Sequence, residues 1–226
     1  MKRRHFIGAV AAGLSTLAGC QGDGSQPEES PTDESPETSP TPTPVEDGTP
    51  TRTPETGTPT QTPGPELENA SFEDGLRGWT IGRDLPADPN NPDRKVASEA
   101  DVTAHFASQG EQSIEFFLDG SADDGTIWVQ QEVDLTDVET LAVDGYSASE
   151  SFNTIAKMAV YAGPVPENGL TEGDFDTERA TEDHEGWKTY EYPVSHGGPG
   201  LVAVGISVVW ETDVYRQLDD VRLLTG

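Results

Sequence analysis

Three residues at alternate positions, Trp128, Gln130 and Glu132, form the pattern in this sequence best suited to binding chemistry. They alternate with the aliphatic residues Ile127 and Val129. Side chains of a β-strand point to opposite faces in turn, so the indole, the amide and the carboxylate are predicted to share one sheet surface. An indole can stack on the apolar face of a ring, while an amide and a carboxylate bond to its hydroxyl groups. The pattern therefore predicts a surface for a hydroxyl-rich ligand.

Four further residues are candidates for the same site. Trp210 and Tyr161 end or flank predicted strands, and Asn91 and Arg94 lie in the proline-rich loop 83–95. An amide and a guanidinium in such a loop can rim a site and bond to a ligand. Each candidate, Trp128 included, also has a simpler interpretation, because an aromatic side chain is often part of the core and a polar loop is often only solvated.

Motifs for catalysis are absent from the sequence. It contains no Gly-x-Ser-x-Gly motif, no phosphate-binding loop and no metal-ligand spacing between His105, His184 and His196. Acidic residues are so frequent that no pair can be assigned to glycoside hydrolysis without geometry. The acidic run 174–178 is not followed by the glycine that an EF-hand loop requires, which disfavours a calcium site there. We expect a protein that is not an enzyme.

The first twenty residues predict export and attachment to a membrane. A basic stretch at residues 2–4 precedes an apolar stretch at 6–18, which is too short to span a bilayer as a stable helix. The run 17–20, Leu-Ala-Gly-Cys, resembles a lipoprotein lipobox, which implies cleavage and lipid on Cys20. The arginine pair in the basic stretch resembles a twin-arginine export signal. The alternative, a stray thiol, is less expected because the chain has no second cysteine for a disulfide. The predicted location is the outer face of the cell membrane.

The charge of the chain limits its partners. There are 42 acidic residues against 13 basic ones, for a formal net charge of −29, and cleavage before Cys20 would remove only cations. Nucleic acid is excluded as an expected partner, since phosphate binding needs clustered Lys and Arg, and contact with the membrane is expected through the lipid alone. The dispersed acids resemble those of proteins from halophilic archaea; the alternative is an unusually acidic mesophilic protein. In the first case the acidity reflects the solvent and not the ligand.

Composition divides the chain into a signal segment (1–20), a linker (21–66) and one domain (67–226). The linker is rich in Ser, Thr, Pro and Glu and nearly lacks aliphatic residues, so it is predicted to be disordered. The domain has seven runs of strand-like alternation separated by turn residues, with one or two more near 70–81 and 102–106, and no sustained helical period. We predict an all-β antiparallel sandwich. The seven runs are 113–118, 126–133, 140–146, 155–161, 187–192, 201–210 and 214–224.

Both ends of the domain resemble the galactose-binding-like jelly roll of many carbohydrate-binding modules. The opening run 69–79, Asn-Ala-Ser-Phe-Glu-Asp-Gly-Leu-Arg-Gly-Trp, is similar to the start of that family, and the closing run 215–223, Tyr-Arg-Gln-Leu-Asp-Asp-Val-Arg-Leu, to its last strand. The resemblance implies that Trp79 and Trp187 belong to the core. It implies a fold more strongly than a ligand, because the same scaffold also serves adhesion and enzyme appendages.

A closing strand with acids at successive positions must bury one of them. Asp219 and Asp220 point to opposite faces in a regular strand, so one carboxylate is directed inward and needs a partner. In the resembling family a structural calcium ion joins the two chain ends, and the matching residues are Glu73 and Asp219, with Glu111 and carbonyl oxygens near 110–113 completing the shell. The alternatives are an arginine partner, such as Arg77 or Arg222, or an exposed acid.

Three classes of function remain after these observations. The favoured one is a lipid-anchored, non-catalytic surface module that binds carbohydrate. The rival is a structural or adhesion protein of the cell envelope without a small ligand, and a glycoside hydrolase is the least expected. The surface around Trp128 should distinguish the first two.

Overall fold

The computed structural model describes residues 62–122, 125–148, 156–181, 184–209 and 214–226. The export segment with Cys20, nearly all of the linker and Trp210 lie outside the described residues. Within this part of the chain the structure is built from strands, and the one helical element is a single 3-10 turn at Glu172–Asp174. These observations confirm the all-β prediction. No helix among the described residues is long and apolar enough to cross a membrane.

Twelve strands are present in the described residues. They are β1 (Thr62–Pro63), β2 (Thr80–Asp84), β3 (Ala87–Asp88), β4 (Asn91–Lys95), β5 (Ser98–Thr103), β6 (Ser113–Leu118), β7 (Gly125–Asp134), β8 (Val138–Ala148), β9 (Ala156–Gly163), β10 (Glu185–Pro193), β11 (Pro199–Val208) and β12 (Val214–Thr225). The last seven correspond one to one to the seven predicted runs. Alternating apolar residues locate these strands because one face of each must be buried.

The strands form two antiparallel sheets. The six-stranded sheet has the order β10-β8-β12-β6-β5, with β1 also paired to β12, and the four-stranded sheet has the order β2-β7-β11-β9. Aliphatic residues of both sheets belong to one buried cluster, so the sheets pack face to face as a sandwich. β3 and β4 form a separate two-stranded hairpin.

The closing strand β12 contains a bulge. Its pairing with β8 shifts register between Asp219 and Arg222, and Asp220 has φ of 47°. Leu218 faces the core before the bulge and Val221 faces it afterwards, so the strict alternation expected from the sequence is interrupted. Asp219 accordingly lies on the outer face, with Tyr215, yet its exposure is 0%. One carboxylate is buried, as predicted, but the predicted inward direction is wrong: Asp219 is buried by a loop on the outer face and not by the core.

The opening run 69–79 folds as a compact turn that positions Glu73. Asn69 organises this turn, because its side-chain amide donates to the carbonyl oxygen of Gly75 at 2.8 Å and its Oδ1 accepts the amide of Asp74 at 2.9 Å. Phe72 is fully buried against Trp79, with ring centroids 5.4 Å apart, which confirms the core assignment of Trp79. Glu73, the next residue, is exposed.

Candidate functional site

The prediction that Trp128 is an exposed platform is wrong. Its exposure is 3%, and its indole Nε1–H donates to Oε1 of Gln130 at 2.7 Å. The indole lies over Gly82 of β2, where a Cβ would collide with the ring, and Gly205 of β11 lies against the Cα and Cβ of Trp128. It does lie on the outer face of the four-stranded sheet, as the alternation predicted, but it offers no free ring face.

A segment of the chain that crosses the four-stranded sheet covers this tryptophan. The crossing segment, residues 170–176, joins the two edges of the sheet. At the β9 edge, Asp176 pairs with Val160 through two backbone hydrogen bonds of 2.9 and 3.1 Å. At the β2 edge, the amide of Glu172 donates to Oδ2 of Asp84 at 3.0 Å. Between them Phe175 stands on Trp128 with ring centroids 4.9 Å apart, so the sheet face becomes a second small core.

The other predicted ligand residues do not form a site with Trp128. Gln130 is half-buried and uses its Oε1 on the indole, whereas Glu132 is exposed farther along β7. Tyr161 is half-buried beside Phe175, with ring centroids 6.4 Å apart. Asn91 and Arg94 are exposed on β4, in the hairpin that belongs to neither main sheet.

A different aromatic surface lies on the outer face of the six-stranded sheet. Directly opposed residues on antiparallel neighbours share a face, and the register places one row across the sheet from β10 to β5. That row reads Trp187, Tyr146, Gln217, Glu115 and Asp101. The adjacent row on the same face pairs Tyr215 of β12 with Phe117 of β6.

The rings on this face are in contact and partly open to solvent. Phe106, from the loop after β5, stacks on Tyr146 with centroids 4.6 Å apart and planes inclined by 21°, and Trp187 meets Tyr146 edge-on at 5.5 Å. Tyr215 and Phe117 form the second pair, at 4.9 Å. Phe106 is 45% exposed and Tyr215 is 51% exposed. We call the seven residues Phe106, Glu115, Phe117, Tyr146, Trp187, Tyr215 and Gln217 the aromatic face.

Polar groups lie between the two sets of rings. Gln217 donates through Nε2 to Oε2 of Glu115 at 2.5 Å, which fixes the amide next to Tyr146. The carbonyl oxygen of this amide and the second carboxylate oxygen of Glu115 point to no protein donor among the described residues. Exposed rings that flank fixed amide and carboxylate groups can stack on the apolar side of a sugar and bond to its hydroxyl groups.

The sequence prediction missed the aromatic face because its residues come from separate strands. Trp187 was predicted to be core, which is wrong: it is half-buried on the outer face of β10. One signal was available, since Tyr215 and Gln217 alternate with Leu218 and Val214 in the closing strand. The pairing of β12 between β8 and β6, which brings the rings together, cannot be deduced from such alternation.

The loop 108–112 joins the two ends of the domain through its backbone amides. Oδ2 of Asp219 accepts the amides of Ser108 at 2.7 Å and Gln109 at 2.8 Å. Oε1 of Glu73 accepts the amides of Glu111 and Gln112, each at 2.9 Å. One loop thus holds one carboxylate from each chain end, as the resemblance implied, although the contacts shown are amides. Glu111 contributes its backbone and not its carboxylate.

Asp219 has a second acid as its neighbour. Asp144 of β8 lies directly opposite it and is satisfied by Arg222, at 2.9 Å, by the hydroxyl of Thr189, at 2.6 Å, and by the hydroxyl of Ser108. Burial raises the pKa of Asp219 from 3.8 to about 6, against the opposing effect of the amides that it accepts. Of the two arginines predicted as alternative partners for Asp219, Arg222 is bonded to Asp144 and Arg77 is paired with Glu68 and Asp74.

The oxygen donors at this loop are of the chemical type that calcium binds. Two carboxylates and the adjacent loop carbonyls are hard oxygen donors, which calcium prefers. Among the described residues, no group of three or more His, Cys, Asp or Glu is close enough to hold a metal ion. A calcium ion held by Glu73 and Asp219 would therefore take most of its shell from backbone oxygens and water.

Comparison with solved structures finds similar folds. The carbohydrate-binding module TmCBM61, solved with β-1,4-galactotriose, is 20% identical, with 71% of this chain and 97% of that chain covered and a TM-score of 0.47. The CBM22-1 xylan-binding domain of Xyn10C from Paenibacillus barcinonensis is 22% identical, with 70% and 92% covered and a TM-score of 0.38. The K2 cleaved adhesin domain of Lys-gingipain is 15% identical, with 68% and 96% covered and a TM-score of 0.44.

No protein-family model and no curated protein matches the chain. At identities of 22% or less, the similarities to solved structures concern the fold, and the ligands in their names belong to those proteins. Any function assigned to this chain must therefore rest on its own residues.

Proposed function

We propose that this chain is a non-catalytic carbohydrate-binding module, anchored by lipid on Cys20 at the outer face of the cell membrane. The binding surface in this proposal is the aromatic face of the six-stranded sheet. It replaces the Trp128 surface predicted from the sequence, whose indole is covered by Phe175.

The observation that carries the proposal is the exposure of rings beside fixed polar groups. Phe106 and Tyr215 keep about half of their surface in water although each contacts a second ring. A contiguous patch of exposed apolar surface often marks a binding site. Gln217 and Glu115 lie between the two ring pairs. Gln217 is only 7% exposed and holds the half-buried Glu115 in place, so the carboxylate of Glu115 is the main hydrogen-bonding group for a saccharide.

Charge narrows the class of carbohydrate. Glu115 and Asp101 lie in the central row of the face, and Glu99 lies opposite Phe117 at its edge. Carboxylates at these positions repel uronic acids and sulfated sugars, while they accept hydrogen bonds from neutral hydroxyl groups. The expected ligand is a neutral polysaccharide.

A calcium ion at the loop 108–112 belongs to the same proposal as a structural element. It would bind Glu73 and Asp219 and connect the opening turn to the closing strand. Because these residues are far apart in the sequence, such a crosslink would close a long loop and strongly restrict the unfolded chain. Its role would be stability, since neither residue belongs to the aromatic face.

The experiment that tests the proposal is a binding screen with the full chain. Neutral polysaccharides (xylan, mannan, galactan and β-glucan) and acidic ones (polygalacturonate and alginate) are embedded in native gels, and retardation of the protein is measured. The proposal expects retardation by at least one neutral polymer and by neither acidic one. Retardation by none of the polymers would favour the rival function, an adhesion protein without a small ligand.

A further inference from the structure

A cavity lies at the edge of the four-stranded sheet and shares no residue with the aromatic face. Its volume is about 230 Å³, below the roughly 300–1,000 Å³ of sites that hold drug-sized ligands. We call it the edge pocket. It is lined by residues 160–162 of β9, Asp174 and Asp176 of the crossing segment, and Tyr192 and Pro193 of β10.

The hydroxyl group of Tyr192 is buried in this region without a hydrogen-bond partner among the described residues. Tyr192 is only 4% exposed, so bulk water does not satisfy the hydroxyl. Burial, followed by the negative charge of Asp176, raises the pKa of Tyr192 above its ordinary value of 10.0. The phenol therefore stays protonated and can donate. A buried polar group normally has a hydrogen-bond partner, so the unpaired hydroxyl indicates that a ligand atom bonds to it.

The two aspartates have accepting oxygens to spare. Oδ2 of Asp174 accepts the amide and the hydroxyl of Thr171, each at 2.7 Å, and Oδ1 of Asp176 accepts the amide of Glu178 at 3.0 Å. Their other carboxylate oxygens have no protein donor among the described residues. The hydrogen bonds to Thr171 and Glu178 hold both side chains at the rim, because each closes a short local loop.

The remaining wall is apolar. Tyr161 is half-buried, and its hydroxyl is occupied by a 2.6 Å hydrogen bond to the carbonyl oxygen of Pro164, so its ring is what it offers to the pocket. Val160, Ala162 and Pro193 supply aliphatic surface. One donor, two acceptors and a ring wall in a small cavity match a small polyhydroxylated ring.

Charged ligands fit the edge pocket less well. Anions are repelled by Asp174 and Asp176. A bare cation is opposed by Arg179, whose guanidinium carbon lies 5.5 Å from the centroid of the Tyr192 ring, and gains nothing from a protonated hydroxyl that must donate. We propose that the edge pocket binds one neutral sugar unit, with Tyr192 donating to the sugar and Asp174 and Asp176 accepting from it. This site is separate from the one proposed on the aromatic face.

The test uses the ¹⁵N-labelled full chain titrated with methyl glycosides of glucose, galactose, mannose and xylose, one at a time. The expected result is saturable shifts of the Val160 and Asp176 amide signals with at least one probe. Tyr192→Phe should weaken that binding by about tenfold without lowering the melting temperature, because it removes a hydroxyl that has no protein partner. Asp176→Asn should weaken binding too.

Two controls separate this site from the rest of the molecule. Glu178→Gln removes a neighbouring exposed acid that does not line the pocket, and Tyr215→Ala alters the aromatic face, so both should leave these titrations unchanged. Absence of shifts with all four probes, or equal affinity of Tyr192→Phe, would overturn the proposal. Saturable shifts with calcium chloride alone would replace it with a cation site. Loss of polysaccharide retardation in Tyr215→Ala with intact monosaccharide shifts would show that the two sites are independent.

Discussion

Phe175 covers the indole of Trp128, with ring centroids 4.9 Å apart and planes inclined by 54°. This contact closes the outer face of the four-stranded sheet, because the segment that carries Phe175 is bonded to both edge strands of that sheet. It also moves the proposed ligand surface to the opposite side of the sandwich. The alternation around Trp128 predicted the correct face and could not show that a distant segment lies on top.

The first prediction concerns this covered tryptophan. Trp128→Ala should lower the free energy of unfolding by about 3–5 kcal/mol, since it opens a cavity between Phe175 and Gly82 of β2. Phe175→Ala should also destabilise, and the two effects should fail to add by about 0.5–1.5 kcal/mol because the rings are in contact. Urea unfolding of the four proteins of the double-mutant cycle measures these values. A loss below about 1 kcal/mol for Trp128→Ala would mean that the face is open.

The second prediction concerns calcium. Chelation should lower the melting temperature of the protein, because an ion that binds only the folded state stabilises it. Glu73→Gln should abolish most of this difference, whereas Glu132→Gln, an exposed acid away from the loop, should preserve it. The measurement is a thermal melt at constant ionic strength with calcium or with chelator. Superimposable wild-type curves under the two conditions would rule out the ion.

The third prediction concerns pH in the presence of chelator. The pKa of Asp219 is raised to about 6 by burial, so the folded state binds this proton more tightly than the unfolded state. The stability contributed in this way is complete below about pH 4 and is lost as the pH rises through about 6. Relative to Asp219→Asn, the wild type should lose up to about 3 kcal/mol of unfolding free energy as the pH is raised from 4 to 7. A difference that stays flat or grows with pH contradicts this prediction.

The fourth prediction concerns anchoring. If Cys20 carries the lipid, Cys20→Ser should move the protein from the membrane fraction to the medium or stop its processing. Fractionation of expressing cells followed by immunoblotting measures this distribution. A variant that stays in the membrane fraction at its mature size would show that another part of the chain holds it there.

Local patterns in the sequence predicted the strands well and the site poorly. Alternation located β6 to β12 because each strand must bury one face, and the paired end motifs located Glu73 and Asp219 beside one loop. The bulge at Asp220 depends on one residue with positive φ, which alternation does not signal. The aromatic face depends on strand order and register, which are set by contacts between residues far apart in the chain.

The central claim, that carbohydrate binds on the aromatic face, is tested most directly by comparing affinities of three single variants for one neutral polysaccharide found in the screen. Phe106→Ala and Tyr215→Ala each remove an exposed ring, and Val165→Ala removes a comparably exposed apolar side chain elsewhere, at 49% exposure. The account predicts that each ring variant binds about tenfold more weakly, a loss of ~1.4 kcal/mol, with an unchanged melting temperature, and that Val165→Ala binds like the wild type. Wild-type affinity in both ring variants would contradict it.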